Sequence, residues 1–229
     1  MKTVKVSESE PVTLTSEDSK SNFVVFQNNE GKLVIERPKN LGRRKSLTTL
    51  EYLESMDGEN PCKLPLLQLY WQWKRRFEEM PAGAKNHHSQ VGGLNIHTAQ
   101  VIEIALDMAE IKKSHIASEV TRDDIIIAAF LHDFSKVVMY RRLPPDEVEK
   151  NNGREFKFDS NLGILDAETW TLQKCLEYQI PLTAEHVNAL HYAEGGFATW
   201  VNQRNQPKWS KLGVLISCAD VYSAMILGK

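Results

Sequence analysis

The stretch Ala128–Lys136, AAFLHDFSK, decides the fold class of this chain. It places His132 and Asp133 directly after a continuous apolar run that begins at Ile125. Such a run inside a helical pattern is typical of a helix buried in a helical core. A carboxylate at the end of this run loses hydration worth several kcal/mol, so it requires a compensating cation.

Helical periodicity continues on both sides of this stretch. The pattern predicts helices over residues 46–56, 62–80, 94–113, 121–142, 165–179, 183–193 and 211–227. Thr121 followed by Asp124 predicts a variant capping box at the start of the helix that carries the motif. Pro144-Pro145 is expected to end this helix, and the charged residues 146–163 to form a loop or lid.

The N-terminal part differs in composition from the rest. Residues 1–22 are polar and predict a disordered tail, whereas Phe23–Gln27 and Lys32–Glu36 flank an Asn/Gly turn and predict a β-hairpin. The expected class is therefore all-α, a helical bundle with a small N-terminal β-hairpin appendage. The expected organisation is a tail over 1–22, a hairpin and linker extension over 23–60 and one catalytic domain over 61–229.

Composition excludes several classes of protein. Lys and Arg total 28 and Asp and Glu total 30, a net charge of -2, which rules out a uniformly basic, histone-like surface. The three cysteines are far apart and form no CxxC pair, which favours a reducing cytosol. No run reaches the roughly 18 apolar residues of a membrane span, and the N-terminus lacks the apolar core of a signal peptide. A cytoplasmic protein with no membrane partner is expected, and its oligomeric state stays open.

Histidines and aspartates recur on apolar helix faces elsewhere in the chain. His97 shares a helix face with Val101 and Ala105, and Asp220 lies within the apolar run LGVLISCADVYSAMI. Buried aspartates among several histidines fit a divalent metal better than separate ion pairs. Imidazole nitrogen and carboxylate oxygen together suit Mn, Fe, Co, Ni or Zn. Asp133 is placed to bridge two ions, with His186 and His191 serving the second.

Four segments carry a resemblance to a known family. AAFLHDFSK resembles the signature of the HD-domain superfamily of metal-dependent phosphohydrolases. PAGAKNHHSQVGGLNIHT (Pro81–Thr98), HVNALHYAEGGF (His186–Phe197) and ISCADVYSAMI are similar to segments of the HD-domain 3′→5′ exoribonucleases. A comparable HH…GGL…H stretch occurs in the HD-type relaxases of conjugative elements. The likeness spans roughly residues 65–227.

The resemblance implies a function and roles for residues. It implies hydrolysis of a phosphoester of a nucleotide or of a nucleic-acid 3′ end by a metal-bound hydroxide, with a nucleotide or single-stranded nucleic acid as substrate. The implied cofactor is a divalent metal, one or two ions of Mn, Fe, Co, Ni or Mg. The implied metal ligands are His97, His132, Asp133, His186, His191 and Asp220. Lys136 and Asp133 are implied to be catalytic, and His87, His88 and Lys136 to bind substrate.

Some features leave alternatives open. Lys136 is equally a salt-bridge partner of Asp133. Gly92-Gly93 suits either a turn or a close approach of backbone to a ligand. Asp166 occupies a position at which many relatives carry another histidine, so it is a further candidate ligand. The same ligand set also serves HD-type di-iron oxygenases, and a relaxase-like module that binds or nicks single-stranded DNA is the third alternative.

Overall fold

The computed structural model describes residues 24–27, 33–36, 46–85, 87–110, 119–159, 161–193 and 209–228. The chain divides into two compact units, Met1–Ser46 and Leu47–Lys229. In the first unit, β1 (Val24–Gln27) pairs antiparallel with β2 (Leu33–Glu36), which confirms the strands of the predicted hairpin. The predicted tail over 1–22 and the turn of the hairpin lie outside the described residues.

The second unit is mainly helical, as predicted. Its helices are α1 (Thr49–Glu54), α2 (Lys63–Glu79), α3 (Gly93–Ala109), α4 (Arg122–Leu131), α5 (Lys136–Met139), α6 (Pro145–Lys150), α7 (Ala167–Glu177), α8 (Ala184–Tyr192) and α9 (Lys211–Tyr222), which continues into a π-helix (Ser223–Leu227). Two short strands, β3 (Tyr140–Arg142) and β4 (Phe156–Phe158), pair antiparallel beside them. Among the described residues, no helix is both long enough and apolar enough to cross a membrane.

Helix α4 lies at the centre of the second unit. Every residue from Ile125 to Leu131 is buried, and α4 packs against α1, α3, α8 and α9. Its start carries the predicted capping box, in which the Thr121 side chain accepts from the Asp124 N–H and the Asp124 carboxylate accepts from the Thr121 N–H. Because α4 packs against four other helices, the His-Asp motif at its C-terminal end lies in the interior.

Aromatic side chains fill the core next to the motif. Phe130 and Phe134 lie with ring centroids 5.3 Å apart, and Phe130 also contacts Phe77 of α2 at 5.5 Å. Phe134 stacks on Trp170 of α7 at 6.2 Å. Aromatic pairs at these separations add to the stability gained from burial. The turn that carries the motif is therefore held by rings from three helices.

Helix α1 packs within the second unit. It contacts α2, α3 and α4, and the Thr49 hydroxyl donates to the Asn95 carbonyl at 3.1 Å. The contacts divide the chain after Ser46, whereas the sequence pattern placed α1 in an extension that ended at residue 60. The amphipathic α1 is too short to be stable alone and gains its stability from this packing.

The single helix predicted over 121–142 is wrong beyond residue 131. The His132 Nδ1–H donates to the Ala129 carbonyl at 2.6 Å, and this carbonyl would otherwise accept the N–H of Asp133. The backbone bonds that follow span three residues instead of four: Phe134 to Leu131, Lys136 to Asp133 and Val137 to Phe134. The backbone is wound more tightly here than in an α-helix. The short helix α5 follows, and the chain then continues into β3.

The loop or lid predicted over 146–163 is wrong in part, because α6 and β4 form within it. Strand β4 pairs with β3 in a register that sets Phe158 opposite Tyr140, with ring centroids 5.9 Å apart. Arg142 pairs with Glu155 at 3.1 Å beside the strands. Strands of three residues carry too little alternation to be read from the sequence, and tertiary contacts decide their pairing.

The two glycines of the HHSQVGG segment have different functions in the fold. Gly92 is the residue before α3 and has a left-handed backbone with φ 78°, which glycine adopts without strain. At Gly93, an added Cβ would lie 1.9 Å from the carbonyl oxygen of His88. His88 itself has φ 43°, uncommon for a residue with a side chain. Gly93 thus permits the backbone approach that holds the paired histidines against the start of α3.

Replacing Gly93 by alanine is expected to destabilise the second unit. The new methyl group overlaps the His88 carbonyl, and overpacking of this kind costs about 2 kcal/mol or more. Gly58→Ala is the matched control, because nothing lies within 4 Å of its Cβ position, and a change within about 0.5 kcal/mol is expected there. Chemical denaturation of both variants measures the difference. Equal stabilities would contradict the close approach at Gly93.

Candidate metal centre

Four of the six predicted metal ligands meet at one place. His97 comes from α3, His132 and Asp133 from the turn between α4 and α5, and Asp220 from α9. The His97 Nε2 lies 3.0 Å from Asp220 Oδ1 and 3.4 Å from Asp133 Oδ2. The His132 Nε2 lies 3.4 Å from Asp133 Oδ2 and 3.9 Å from Asp220 Oδ1. We call these four residues the HD cluster.

A hydrogen bond at Nδ1 orients each imidazole so that its Nε2 points into the HD cluster. The His132 Nδ1 donates to the Ala129 carbonyl, and the His97 Nδ1 lies 3.0 Å from Ser223 Oγ. The two Nε2 atoms face each other at 3.3 Å. When both Nδ1 atoms carry their protons, two lone pairs and two carboxylates point at the same small volume. A positive charge in that volume is required to stabilise the arrangement.

The donor set fits a divalent transition metal. The ligand atoms of His97, His132 and Asp220 all lie within 4.8 Å of one another. Two ligands bonded to one ion at about 2.1 Å lie roughly 3.0–3.4 Å apart at octahedral or tetrahedral angles. Most separations within the HD cluster, 3.0 to 3.9 Å, fall in or near that range. Mixed imidazole and carboxylate donors suit Mn, Fe, Co, Ni or Zn.

The raised pKa of His97 also indicates that positive charge is favoured in this volume. Burial lowers this pKa, but hydrogen bonds to Asp133 and Asp220 raise it by more, and the net direction is upward. The imidazole is fully buried, so the charged form is stabilised by its carboxylate partners alone. A proton on Nε2 and a metal ion therefore compete for one position.

Lys136 neutralises the charge of Asp133, the more deeply buried of the two carboxylates in the HD cluster. Asp133 is only 4% exposed, and the Lys136 Nζ donates to its Oδ2 at 2.5 Å. Burial raises the pKa of the Asp133 carboxyl, but Lys136, His132 and His97 together hold it well below its usual range. Burial lowers the pKa of Lys136, and Asp133 raises it by more. Both groups are consequently charged at neutral pH.

The two predicted substrate histidines lie beside the HD cluster. The rings of His87 and His88 have centroids 5.3 and 5.1 Å from that of His97, and their Nδ1 atoms are 3.3 Å apart. Burial, together with nearby His97 and Lys136, lowers the pKa of His87 to about 4, although Asp133 acts in the opposite direction. His87 is therefore neutral at pH 7 and is partly exposed, whereas His88 is buried.

The structure does not bring His186 and His191 into the HD cluster. The His186 Nδ1 accepts from the Thr183 N–H at 3.1 Å, and its Nε2 donates to Asp124 at 3.0 Å. Neither residue belongs to a group of converging ligand atoms in the described part of the chain. Asp166, the other candidate, caps α7 by accepting from the Thr169 N–H. A second ion held by His186 and His191 stays a prediction.

Two polar residues of the site were not predicted from the sequence. Gln100 and Ser223 follow His97 and Asp220 by three residues each, so each lies one turn along the same helix face. Ser223 is fully buried, and its Oγ contacts both His97 Nδ1 and Gln100 Oε1. Polar residues at this spacing from a candidate ligand are a signal that the sequence contains.

Parts of the chain are similar to three characterised proteins. The chain is 32% identical over 117 residues to the dihydroneopterin 2′,3′-cyclic phosphate phosphodiesterase of Methanocaldococcus jannaschii, a match that covers 51% of this chain and 43% of that protein. It is 28% identical over 88 residues to the 3′-5′ exoribonuclease YhaM of a Geobacillus strain and 30% identical over 90 residues to that of Bacillus velezensis. These matches cover 38% and 39% of this chain.

The relatives extend well beyond the matched region. The matches cover 25% and 27% of the two exoribonucleases, so this chain corresponds to less than half of each relative's length. No protein-family model matches the chain. No solved structure matches it significantly. The resemblance to HD-domain phosphohydrolases that the motifs predicted is confirmed by the three relatives.

Metal binding is expected to depend on the HD cluster. At a free metal concentration of one hundred times Kd, the wild type is expected to gain about 2.7 kcal/mol of stability, because the ion binds only the folded protein. Asp220→Asn removes one anionic ligand and is expected to weaken binding of Mn²⁺ at least about tenfold. Metal analysis after gel filtration and thermal melting with added Mn²⁺ measure both effects.

The matched control is Asp146→Asn, which neutralises an exposed aspartate on α6. It is expected to bind the ion as the wild type does. A wild-type protein that retains no divalent metal and shows no shift in melting temperature would contradict the assignment of a metal centre.

Proposed function

We propose that this chain is a metal-dependent phosphodiesterase that hydrolyses a phosphoester of a nucleotide or of a nucleic-acid 3′ end. The observation that carries the proposal is the meeting of two imidazoles and two carboxylates beside a partly buried lysine. The names of the relatives support it, because one is a cyclic phosphate phosphodiesterase and two are exoribonucleases. Cleavage of a phosphodiester bond is what these activities share.

In this proposal His97, His132, Asp133 and Asp220 hold one divalent ion, with Mn, Fe, Co, Ni and Mg as candidates. When bound, the ion supplies Lewis-acid stabilisation of a phosphoryl oxygen and activates a water molecule at neutral pH. The carboxylates bring negative charge to the ion, and the imidazoles enter as neutral ligands through Nε2. Substrate reaches the centre on the side of Asp220, whose side chain is 20% exposed while that of His97 is fully buried.

Lys136 contributes a fixed positive charge in this proposal. Its Nζ lies against Asp133 and close enough to Asp220 for that charge to raise its pKa, so the ammonium group lies near the proposed entrance. A phosphate group that enters there gains a charge-assisted contact with Nζ. The same contact becomes stronger as negative charge develops on the phosphoryl oxygens, so Lys136 favours the transition state.

His87 is proposed to contact the substrate. It is neutral, partly exposed and close enough to Asp133 and Lys136 for their charges to alter its pKa. A neutral imidazole at this place accepts a hydrogen bond from a ribose hydroxyl or from water. His88 is buried beneath it, so a direct contact of His88 with substrate requires the chain to move.

Size distinguishes the two substrate classes named in the relatives. Dihydroneopterin 2′,3′-cyclic phosphate, named in one relative, is a small molecule, whereas the two exoribonucleases act on RNA. Single-stranded nucleic acid as a partner and the cytoplasm as location are parts of the proposal. The names of the relatives favour neither the di-iron oxygenase nor the relaxase-like alternative.

The test of the proposed function is a turnover assay on nucleoside 2′,3′-cyclic phosphates and on single-stranded oligonucleotides. The wild type with Mn²⁺ is expected to hydrolyse nucleoside 2′,3′-cyclic phosphates or to shorten 3′-labelled single-stranded oligonucleotides. His132→Ala combined with Asp133→Ala is expected to abolish turnover while the circular dichroism spectrum stays helical, because an incomplete shell loses both the activated water and the charge stabilisation. Asp146→Asn again serves as the control. Turnover retained by the double variant would refute the proposal.

Lys136→Met separates catalysis from a purely structural salt bridge. Methionine keeps the length of the apolar stem but removes the ammonium group, and kcat is expected to fall about 100-fold. Lys136→Arg keeps the charge and is expected to recover part of the activity. If Lys136 only neutralises Asp133, the melting temperature of Lys136→Met falls while kcat per folded molecule stays at the wild-type value.

A further inference from the structure

A chain of buried and half-buried hydrogen bonds leads away from the HD cluster. The His97 Nδ1 lies 3.0 Å from Ser223 Oγ, and the Ser223 hydroxyl donates to Gln100 Oε1 at 2.9 Å. The same Gln100 oxygen lies 2.9 Å from His88 Nε2. We call His97, Ser223, Gln100 and His88 the relay. It connects α3, the π-helix and the loop of the paired histidines.

The direction of each bond in the relay follows from its acceptors. Gln100 Oε1 only accepts, so Ser223 Oγ–H and His88 Nε2–H both donate to it. The Ser223 oxygen is then left to accept from His97 Nδ1–H. A His97 imidazole with its proton on Nδ1 presents a bare Nε2 to the HD cluster. The reverse direction would place the proton on Nε2 and prevent this nitrogen from binding an ion.

The backbone around the relay is irregular where its members attach. Ser223 is the first residue of a π-helix, a rare conformation that is frequent at functional sites. His88 has its strained φ of 43°, and its N–H donates to the Gly228 carbonyl at 3.4 Å. A Cβ at Gly228 would lie 2.6 Å from Cβ of His87. The end of the π-helix is thus packed directly on the histidine loop.

We infer that Ser223, Gln100 and His88 are positioning residues that fix the tautomer and the ring orientation of His97 for metal binding. The inference rests on the metal centre of the proposed function and extends it beyond the ligands. In this inference buried His88 orients His97 indirectly, through its bond to Gln100 and the bonds of Ser223. It also explains why Gly93 must lack a side chain, since the approach at Gly93 holds His88 within reach of Gln100.

The test compares metal dissociation constants, measured by competition with a chelator on the folded, full-length protein. Ser223→Ala and Gln100→Met each break the relay with little change in volume and are expected to raise the Kd for Mn²⁺ about 10- to 100-fold. Gln100→Glu keeps an acceptor oxygen and is expected to bind within about threefold of the wild type. Ser217→Ala, which removes another buried hydroxyl from α9, is the matched control.

A second readout separates positioning from general stability. Activity of Ser223→Ala, measured at a temperature at which the metal-free variant is fully folded, is expected to recover at high Mn²⁺, because the ligands themselves are intact. At that temperature a purely structural defect leaves no loss of activity for the metal to correct. Should Ser223→Ala fail to fold, the pair Gln100→Met and Gln100→Glu tests the same bonds at a half-buried position.

The outcomes distinguish this inference from the proposed function. A wild type that binds no divalent ion overturns both. A wild type that binds the ion while Ser223→Ala and Gln100→Met bind it equally well overturns the relay alone. Equal losses in Gln100→Glu and Gln100→Met would also overturn the relay, because the acceptor oxygen would then have no effect.

Discussion

The burial of the Asp133 carboxylate is the constraint on which the rest of the structure depends. An ionised carboxylate in a protein interior costs several kcal/mol unless positive charge and hydrogen bonds compensate it. Lys136 supplies one contact at 2.5 Å, and the Nε2 atoms of His97 and His132 lie at 3.4 Å. These partners come from α3, from the turn after α4 and from the start of α5, so the helices must pack as they do for the charge to be tolerated.

Irregular backbone surrounds the HD cluster on three sides. The chain tightens after α4, His88 takes a left-handed conformation and α9 ends in a π-helix. Regular helices turn each successive side chain by about 100°, so adjacent residues such as His132 and Asp133 diverge. The departures from regular geometry direct the donor atoms to one volume. Local strain at a site of this kind is maintained by packing elsewhere, here by the aromatic core around Phe134.

Much of this arrangement was predictable from residue types and spacing. The apolar stripe under His97, the buried run before His132 and the apolar helix around Asp220 all indicated inward-facing polar groups, and the structure brings them together. The break of the long predicted helix was not predictable, because no proline or glycine lies between Ile125 and Tyr140. A side-chain bond from His132 to a backbone carbonyl causes it. For His186, the sequence pattern gave no indication that Thr183 and Asp124 would occupy both ring nitrogens.

The sequence by itself determined the helical class, the hairpin strands, the capping box of α4 and the resemblance to HD-domain phosphohydrolases. These depend on local periodicity and on short motifs, which are contained in neighbouring residues. Only the tertiary structure decided that His97 and Asp220, 123 positions apart by their numbers, lie 3.0 Å from each other at the end of α4. It also decided that Ser223 Oγ lies within hydrogen-bond distance of both His97 Nδ1 and Gln100 Oε1. Distances between segments arise from packing, and no local pattern specifies them.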